Sequence, residues 1–314
     1  MITAIKLVLV FIISFASLLI DPALVFGEVN IVATVPNLGY IAEEVGGERV
    51  NVITLSKGYQ DPHTVDPKPS FVLAMSRADM LVYNGLELEA GWLPVLISSS
   101  RNSKISAVSS PGNFDASSAI DAILDVPTSR IDRSMGDVHQ MGNPHYLLDP
   151  RNGIAVARAL SARLSAIDPE GESYYIRRAE DFEKRLAERI AAWEDTLLKV
   201  KGAEVITYHK SWTYFTNWAG LKEAGTLEPK PGIPPSPSHI ASLIEFMRKR
   251  SIKIIIAEPY YPKKTARQVA ERTGATLLIL PSSVGGRDDV MTYFDLFDAI
   301  VNEVVRVLSV DGAS

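Results

Sequence analysis

From residue 172 to residue 201 the chain reads ESYYIRRAEDFEKRLAERIAAWEDTLLKVK, a stretch with neither proline nor glycine. Phe182, Leu186, Ile190, Trp193, Leu197 and Val200 recur at spacings of three and four. That spacing lays them along one face of a helix. Glu180 with Lys184, and Asp181 with Arg185, stand four apart on the polar side, where opposite charges support a helix. At 1.5 Å per residue, about 30 residues make a rod of about 45 Å, long enough to run the length of a two-lobed molecule. One helix over 168–201, bridging two lobes, is therefore expected.

Working outward, both flanks alternate short apolar runs with helical patterns. Asn30 to Pro36, Val50 to Ser56 and Met80 to Asn84 are strand candidates before the long helix, with short helices at Leu38 to Val45 and Pro69 to Arg77. Beyond it, Glu204 to Tyr208, Ile252 to Ala257 and Thr276 to Leu280 repeat the strand pattern. Helices are expected at Ile240 to Arg250, Lys264 to Thr273 and Asp289 to Leu308. Such alternation argues for mostly parallel sheets flanked by helices. Arg101 to Met141, rich in Ser, Gly, Asp and Pro, reads as loops around short elements, and the proline-rich Pro229 to Pro237 as an extended loop. The expected organisation is α/β: a first lobe over 28–167, the bridging helix, and a second lobe over 202–314.

Residues 1–27 stand apart. Lys6 precedes an apolar run from Leu7 to Ile20, closed by Asp21 and Pro22. The run is shorter than the roughly 20 residues a spanning helix needs, and small or moderate residues before Glu28 suit a signal peptide cleaved near Gly27–Glu28. The chain has no cysteine, so neither disulfides nor a lipid on an N-terminal cysteine are available, and a periplasmic location is favoured. A formal net charge of −5 without a basic cluster argues against nucleic acid as a partner.

The chain has 5 histidines. His63, His145 and His209 each lie where a strand or loop hands over to the next element, and in open α/β sheets the strand-end loops line the ligand crevice. Three neutral imidazoles suit zinc better than calcium or magnesium, which prefer oxygen. The wide spacing of the three carries little weight alone. His139, in Asp137-Val138-His139-Gln140-Met141, reads as a solvated loop residue. His239 reads as part of a helix N-terminus capped by Ser236 or Ser238.

The surrounding motifs say more. Gly58-Tyr59-Gln60-Asp61-Pro62-His63 resembles the first ligand motif of the solute-binding proteins of zinc and manganese ABC transporters. Asn143-Pro144-His145-Tyr146-Leu147-Leu148-Asp149-Pro150 is similar to their second, usually Asp-Pro-His-x-Trp-Leu-Asp-Pro. Tyr208-His209-Lys210-Ser211-Trp212 is similar to their third. Further matches at Ala78-Asp79, Asn84-Gly85, Glu89 to Leu93, Ala257-Glu258-Pro259 and Thr273-Gly274-Ala275 extend the resemblance over nearly the whole mature chain.

The resemblance implies two α/β lobes bridged by a rigid helix with the ion in the cleft, held by His63, His145 and His209. It further implies a monomer that delivers the ion to the membrane permease of an ABC importer. Histidine at the third position is typical of zinc-type members, so Zn2+ is the expected cargo, with Mn2+ as the alternative. Two departures stand out. Where the family usually has a late Asp or Glu, this chain has Leu280-Pro281-Ser282-Ser283, leaving water, Glu258, Asp288 or Asp289 to complete the shell. A His-rich loop before the second motif is reduced to His139. Rival readings are a zinc hydrolase with three histidines and a water, which lacks any His-Glu-x-x-His motif, and an organic-solute receptor using Trp212, Tyr214 and Trp218, which read instead as core.

Overall fold

The structure, a computed structural model, describes residues 28–128 and 139–310. The signal-peptide assignment therefore lies outside the described residues.

Among the described residues, eight strands form two sheets of identical plan. The first contains β1 (Val29–Ala33), β2 (Val50–Thr54), β3 (Met80–Tyr83) and β4 (Asn113–Asp115) in the order β2-β1-β3-β4. The second contains β5 (Glu204–Thr207), β6 (Lys222–Thr226), β7 (Ile254–Ala257) and β8 (Thr276–Ile279) in the order β6-β5-β7-β8. All pairings between these strands are parallel. Parallel strands covered on both faces are near-continuous apolar runs. Accordingly Ile254, Ile255, Ile256 and Ala257 of central β7 are all buried, while edge strand β2 alternates half-buried and exposed positions.

Within each sheet the chain steps from the first strand to one side and then crosses to the other, so the switch point lies between β1 and β3 in one lobe and between β5 and β7 in the other. Ligands of open α/β sheets bind outside the carboxyl ends of strands at such a point.

Helices cover both faces. On the first sheet, α1 (Pro36–Gly46) and α5 (Pro150–Ile167) lie inward, and α2 (Pro69–Arg77) and α3 (Leu93–Ser100) outward, the latter closing a separate small core with Val32 and Leu81. The short α4 (Ser103–Ser106) and α7 (Thr213–Ala219) complete the connections. On the second sheet α8 (Pro237–Arg250) and α9 (Lys263–Thr273) cover the outer face around Ile206 and Ile255.

The long helix is α6 (Glu172–Leu197), 26 residues continued by single 3-10 turns at Pro169–Gly171 and Leu198–Val200. Its apolar stripe is as expected: Phe182, Leu186, Ile190, Trp193 and Leu197 are buried. Arg185 pairs with Asp181 on its own helix and also with Glu44 on α1.

A second element shares the bridging. The C-terminal helix α10 (Tyr293–Val310) lies along α6, with the Phe297 and Trp193 rings 5.3 Å apart and Trp193 Nε1 donating to Asp298 at 2.8 Å. It also touches the first lobe, where Tyr293 OH donates to Leu147 O at 2.6 Å. One apolar core consequently runs from Ile31 and Val82 of the first sheet through α6 and α10 to Val205 and Ile254 of the second.

Candidate metal centre

Each of the three histidines is delivered by a strand-end loop facing the cleft. His63 lies in the loop after β2, His145 precedes the 3-10 turn Tyr146–Leu148 that leads into α5, and His209 stands just beyond β5, after Tyr208. Local chemistry fixes these loops. Asp149 accepts from Arg151 N and, with Pro150 in the first turn, starts α5 just after His145. The His63 loop crosses to the other lobe at Gly58: a Cβ there would sit 2.1 Å from Val284 O, so no larger residue fits that approach.

The loops bring the three rings together. One ligand atom from each of His63, His145 and His209 lies within 4.8 Å of the others, and among the described residues no other group of three or more His, Cys, Asp or Glu side chains could hold an ion. Ring centroids are 5.2 Å apart for His63 and His145, 5.4 Å for His63 and His209, and 5.6 Å for His145 and His209.

Carboxylates orient two of the rings. His63 Nδ1 lies 2.8 Å from Asp61 Oδ1, and His209 Nδ1 lies 2.8 Å from Glu228 Oε2. A carboxylate on Nδ1 holds the proton there and turns the Nε2 lone pair to the cleft, the arrangement that raises the basicity of metal-binding histidines. Glu228 is itself held by Gly232 N at 3.0 Å. For Asp61, burial pushes the carboxyl up, but its bonds to His63 outweigh that and leave it below the usual range. His145 Nε2 is buried without any hydrogen-bond partner. Burial first, and the neighbouring His63, His209 and His139 next, hold His145 well below the ordinary histidine range. Burial thus disfavours its charged form, and the neutral ring is the form a metal requires.

Asp61 and Glu228 were not singled out as functional by the sequence. Asp61 carried a signal, being two residues before His63. Glu228 carried none, because it follows β6, a strand whose KEAGT composition gives no strand pattern.

His139 is corrected. Instead of lying in solvent, it is half-buried against His63, with Nε2 atoms 3.3 Å apart and ring centroids at 5.4 Å. Burial, then His63 and His209, bring its pKa down to about 3. His239 stands where expected: Ser236 caps α8 by accepting from His239 N at 3.2 Å, and the ring bonds Thr226 O, away from the cluster. Trp212, Tyr214 and Trp218 are core residues.

The possible fourth donors differ sharply. Asp288 and Asp289 are exposed, and Asp289 pairs with Arg287. Glu258, at the end of β7, is fully buried, and neither carboxyl oxygen closes a hydrogen bond. Burial pushes it up to about 8, against the opposing pull of the Ser211 hydroxyl and the Trp212 indole. After β8, the segment with Pro281 closes the lobes together: Asn37 Nδ2 donates to Ser282 O at 3.3 Å, and Asn37 Oδ1 accepts from Val284 N at 2.9 Å.

Two parallel-sheet lobes sharing one core, with donor side chains converging from strand-end loops on the cleft between them, are the build of a substrate-binding protein of an ABC transporter. The chain belongs to the family described as zinc-uptake complex component A, periplasmic, whose model matches residues 31–307; its members are binding proteins and not enzymes, which removes the hydrolase reading.

Among curated relatives, the manganese ABC transporter substrate-binding lipoprotein PsaA of Streptococcus pneumoniae serotype 4 is 23% identical, covering 78% of this chain and 77% of its own. The zinc-binding lipoprotein AdcA of Streptococcus pneumoniae is 24% identical over 81% of this chain and 50% of its own. The fold matches a crystal structure of ZnuA with a TM-score of 0.75 at 22% identity, covering 90% of this chain and 100% of that one. A manganese-bound mutant of a periplasmic metal-binding protein from Candidatus Liberibacter asiaticus matches with a TM-score of 0.69 at 23% identity, over 88% and 98% of the two chains.

Proposed function

We propose that this protein captures zinc in the periplasm through His63, His145 and His209 and delivers it, as a monomer, to the membrane permease of an ABC importer. The observation that carries the reading is the cluster itself: three imidazoles with ligand atoms within 4.8 Å of one another, two of them oriented by carboxylates. A nitrogen-only set of three suits zinc, whereas manganese favours oxygen donors. On this reading 1–27 is a signal peptide removed before Glu28, 28–167 and 202–314 are the lobes, and 168–201 links them.

Manganese is the second reading, favoured by the buried carboxyl of Glu258 and by the name of the PsaA relative. The zinc reading is tested by stripping the protein with chelator and titrating zinc and manganese in competition. Zinc should bind one ion per chain and displace manganese. Replacing any one of His63, His145 or His209 by Ala should weaken zinc by more than about 100-fold, since even outer partners of a metal ligand are worth about 10–100-fold. Manganese binding tighter than zinc would overturn the assignment of the ion, and wild-type affinity in one of these variants would remove that residue from the site.

A further inference from the structure

The two halves of the histidine cluster come from different lobes, and one buried side chain spans the gap between them. Asn143 stands two residues before His145. Its Oδ1 accepts from His145 N at 2.9 Å, and its Nδ2 donates to Lys210 O, the carbonyl next to His209, at 2.8 Å. The same Nδ2 faces Asp125 Oδ2 at 3.1 Å and Thr213 Oγ1 at 3.3 Å. These neighbours settle which end of the amide is which, since a backbone N–H must meet the oxygen, and a carbonyl and a carboxylate must meet the nitrogen.

The surroundings reinforce the span. Asn143 N donates to Leu124 O at 2.9 Å, Tyr214 OH donates to Asn143 O at 3.1 Å and accepts from Leu124 N at 2.9 Å, and Lys210 Nζ pairs with Asp125 Oδ1 at 2.8 Å. Only an amide serves here. A carboxylate accepts but cannot donate, so aspartate, the usual residue of the resembled motif, would face Lys210 O and the Asp125 carboxylate with no proton to share. Among the described residues, Lys210 O would then keep only the Thr213 hydroxyl at 3.5 Å, a weaker contact than the amide at 2.8 Å.

We propose that Asn143 is a positioning residue for the metal cluster, an amide staple that holds the His209–Lys210 segment of one lobe in register with His145 of the other before the ion arrives. This rests on the reading of His145 and His209 as ligands. Without the staple the cluster must assemble at the moment of binding, which weakens affinity chiefly by speeding dissociation.

The test compares the wild type with Asn143→Asp, Asp125→Asn and the double variant, measuring zinc affinity by chelator competition, zinc release by stopped flow, and melting temperature. Asn143→Asp should weaken zinc about 10–100-fold, the range for outer partners of metal ligands, with faster release, and should melt earlier because two carboxylates oppose each other. In the double variant the amide introduced at 125 removes that repulsion but leaves Lys210 O with only the longer Thr213 contact at 3.5 Å. Melting should therefore recover while zinc release stays fast.

Recovery of affinity and release together with melting would overturn the staple and reduce Asn143 to a charge-neutral packing residue, as would wild-type zinc binding in Asn143→Asp. Failure of the parent reading looks different: the wild type would then bind no zinc, or would bind it unchanged after His145→Ala or His209→Ala.

Discussion

At the scale of single residues, the proposed site depends on the partners behind its rings. Asp61 and Glu228 each fix a proton on Nδ1, so Asp61→Asn and Glu228→Gln should lower zinc affinity by about 10–100-fold while the fold persists, read by chelator competition alongside circular dichroism. His139 has a different part. His139 Nε2 lies 3.3 Å from His63 Nε2, and a proton held on His63 Nδ1 by Asp61 would make His139 the donor of that contact. On the proposed reading the contact must give way when an ion binds, and it is worth about 1 kcal/mol net. His139→Ala should therefore leave zinc affinity unchanged or raise it by at most about fivefold. A large loss would make His139 a member of the shell. His239→Ala should do nothing to affinity. The three central histidines were legible because each is embedded in a recognisable motif. The contact of His139 was not, since it depends on how the loop before the second motif folds back over His63.

At the scale of elements, the strand-end loops carry a second buried carboxyl with consequences for stability. Glu89, in the loop after β3, accepts from Thr34 Oγ1 at 2.6 Å, Asn84 N at 2.7 Å and Gly85 N at 3.2 Å, tying the ends of the two central strands together. Burial nonetheless outweighs these bonds and pushes it up to about 7. A carboxyl whose pKa is raised by folding holds its proton in the folded state where the unfolded chain has released it. Its contribution to stability is full below the unfolded value near 4.5 and is lost as pH rises towards about 7. Across that window the metal-free protein should lose on the order of 3 kcal/mol from this group. Glu258, raised to about 8, adds a slope of the same sign, so Glu89→Gln should make that part of the profile shallower without abolishing it, measured by urea unfolding from pH 4.5 to 8; an unchanged slope would place the titration elsewhere.

Elements also differ in how they announce themselves. Ile254 to Ala257 is apolar throughout and α6 has an unbroken stripe, so both were plain from pattern alone. Edge strands β4 and β6 were not: Asn-Phe-Asp is too short for a period, and Lys-Glu-Ala-Gly-Thr earns its place from pairing with β5 and not from its own propensity.

At the scale of the whole molecule, the question is how far the lobes move when an ion binds. A flexible hinge would allow wide closure, but here two helices and one core cross the boundary. Helix α6 alone is about 39 Å long at 1.5 Å per residue, and α10 locks onto it through Trp193, Asp298 and Phe297. Tyr293 fixes α10 to the first lobe: its ring lies against Gly153 of α5, where an added Cβ would come within 2.6 Å, and its hydroxyl reaches Leu147 O. Close-packed interiors of this kind transmit force and do not bend gradually. Metal-free and zinc-loaded protein should therefore give nearly superimposable small-angle scattering profiles, with changes confined to the cleft loops. Tyr293→Ala should cost about 3–5 kcal/mol, as truncation of a large buried aromatic does. If the fold survives that loss, the variant should show a larger difference between its free and loaded profiles than the wild type. A wide closure in the wild type would mean that α6 and α10 do not act as one brace. An unaltered difference in Tyr293→Ala would mean that α6 holds the lobes without help from α10.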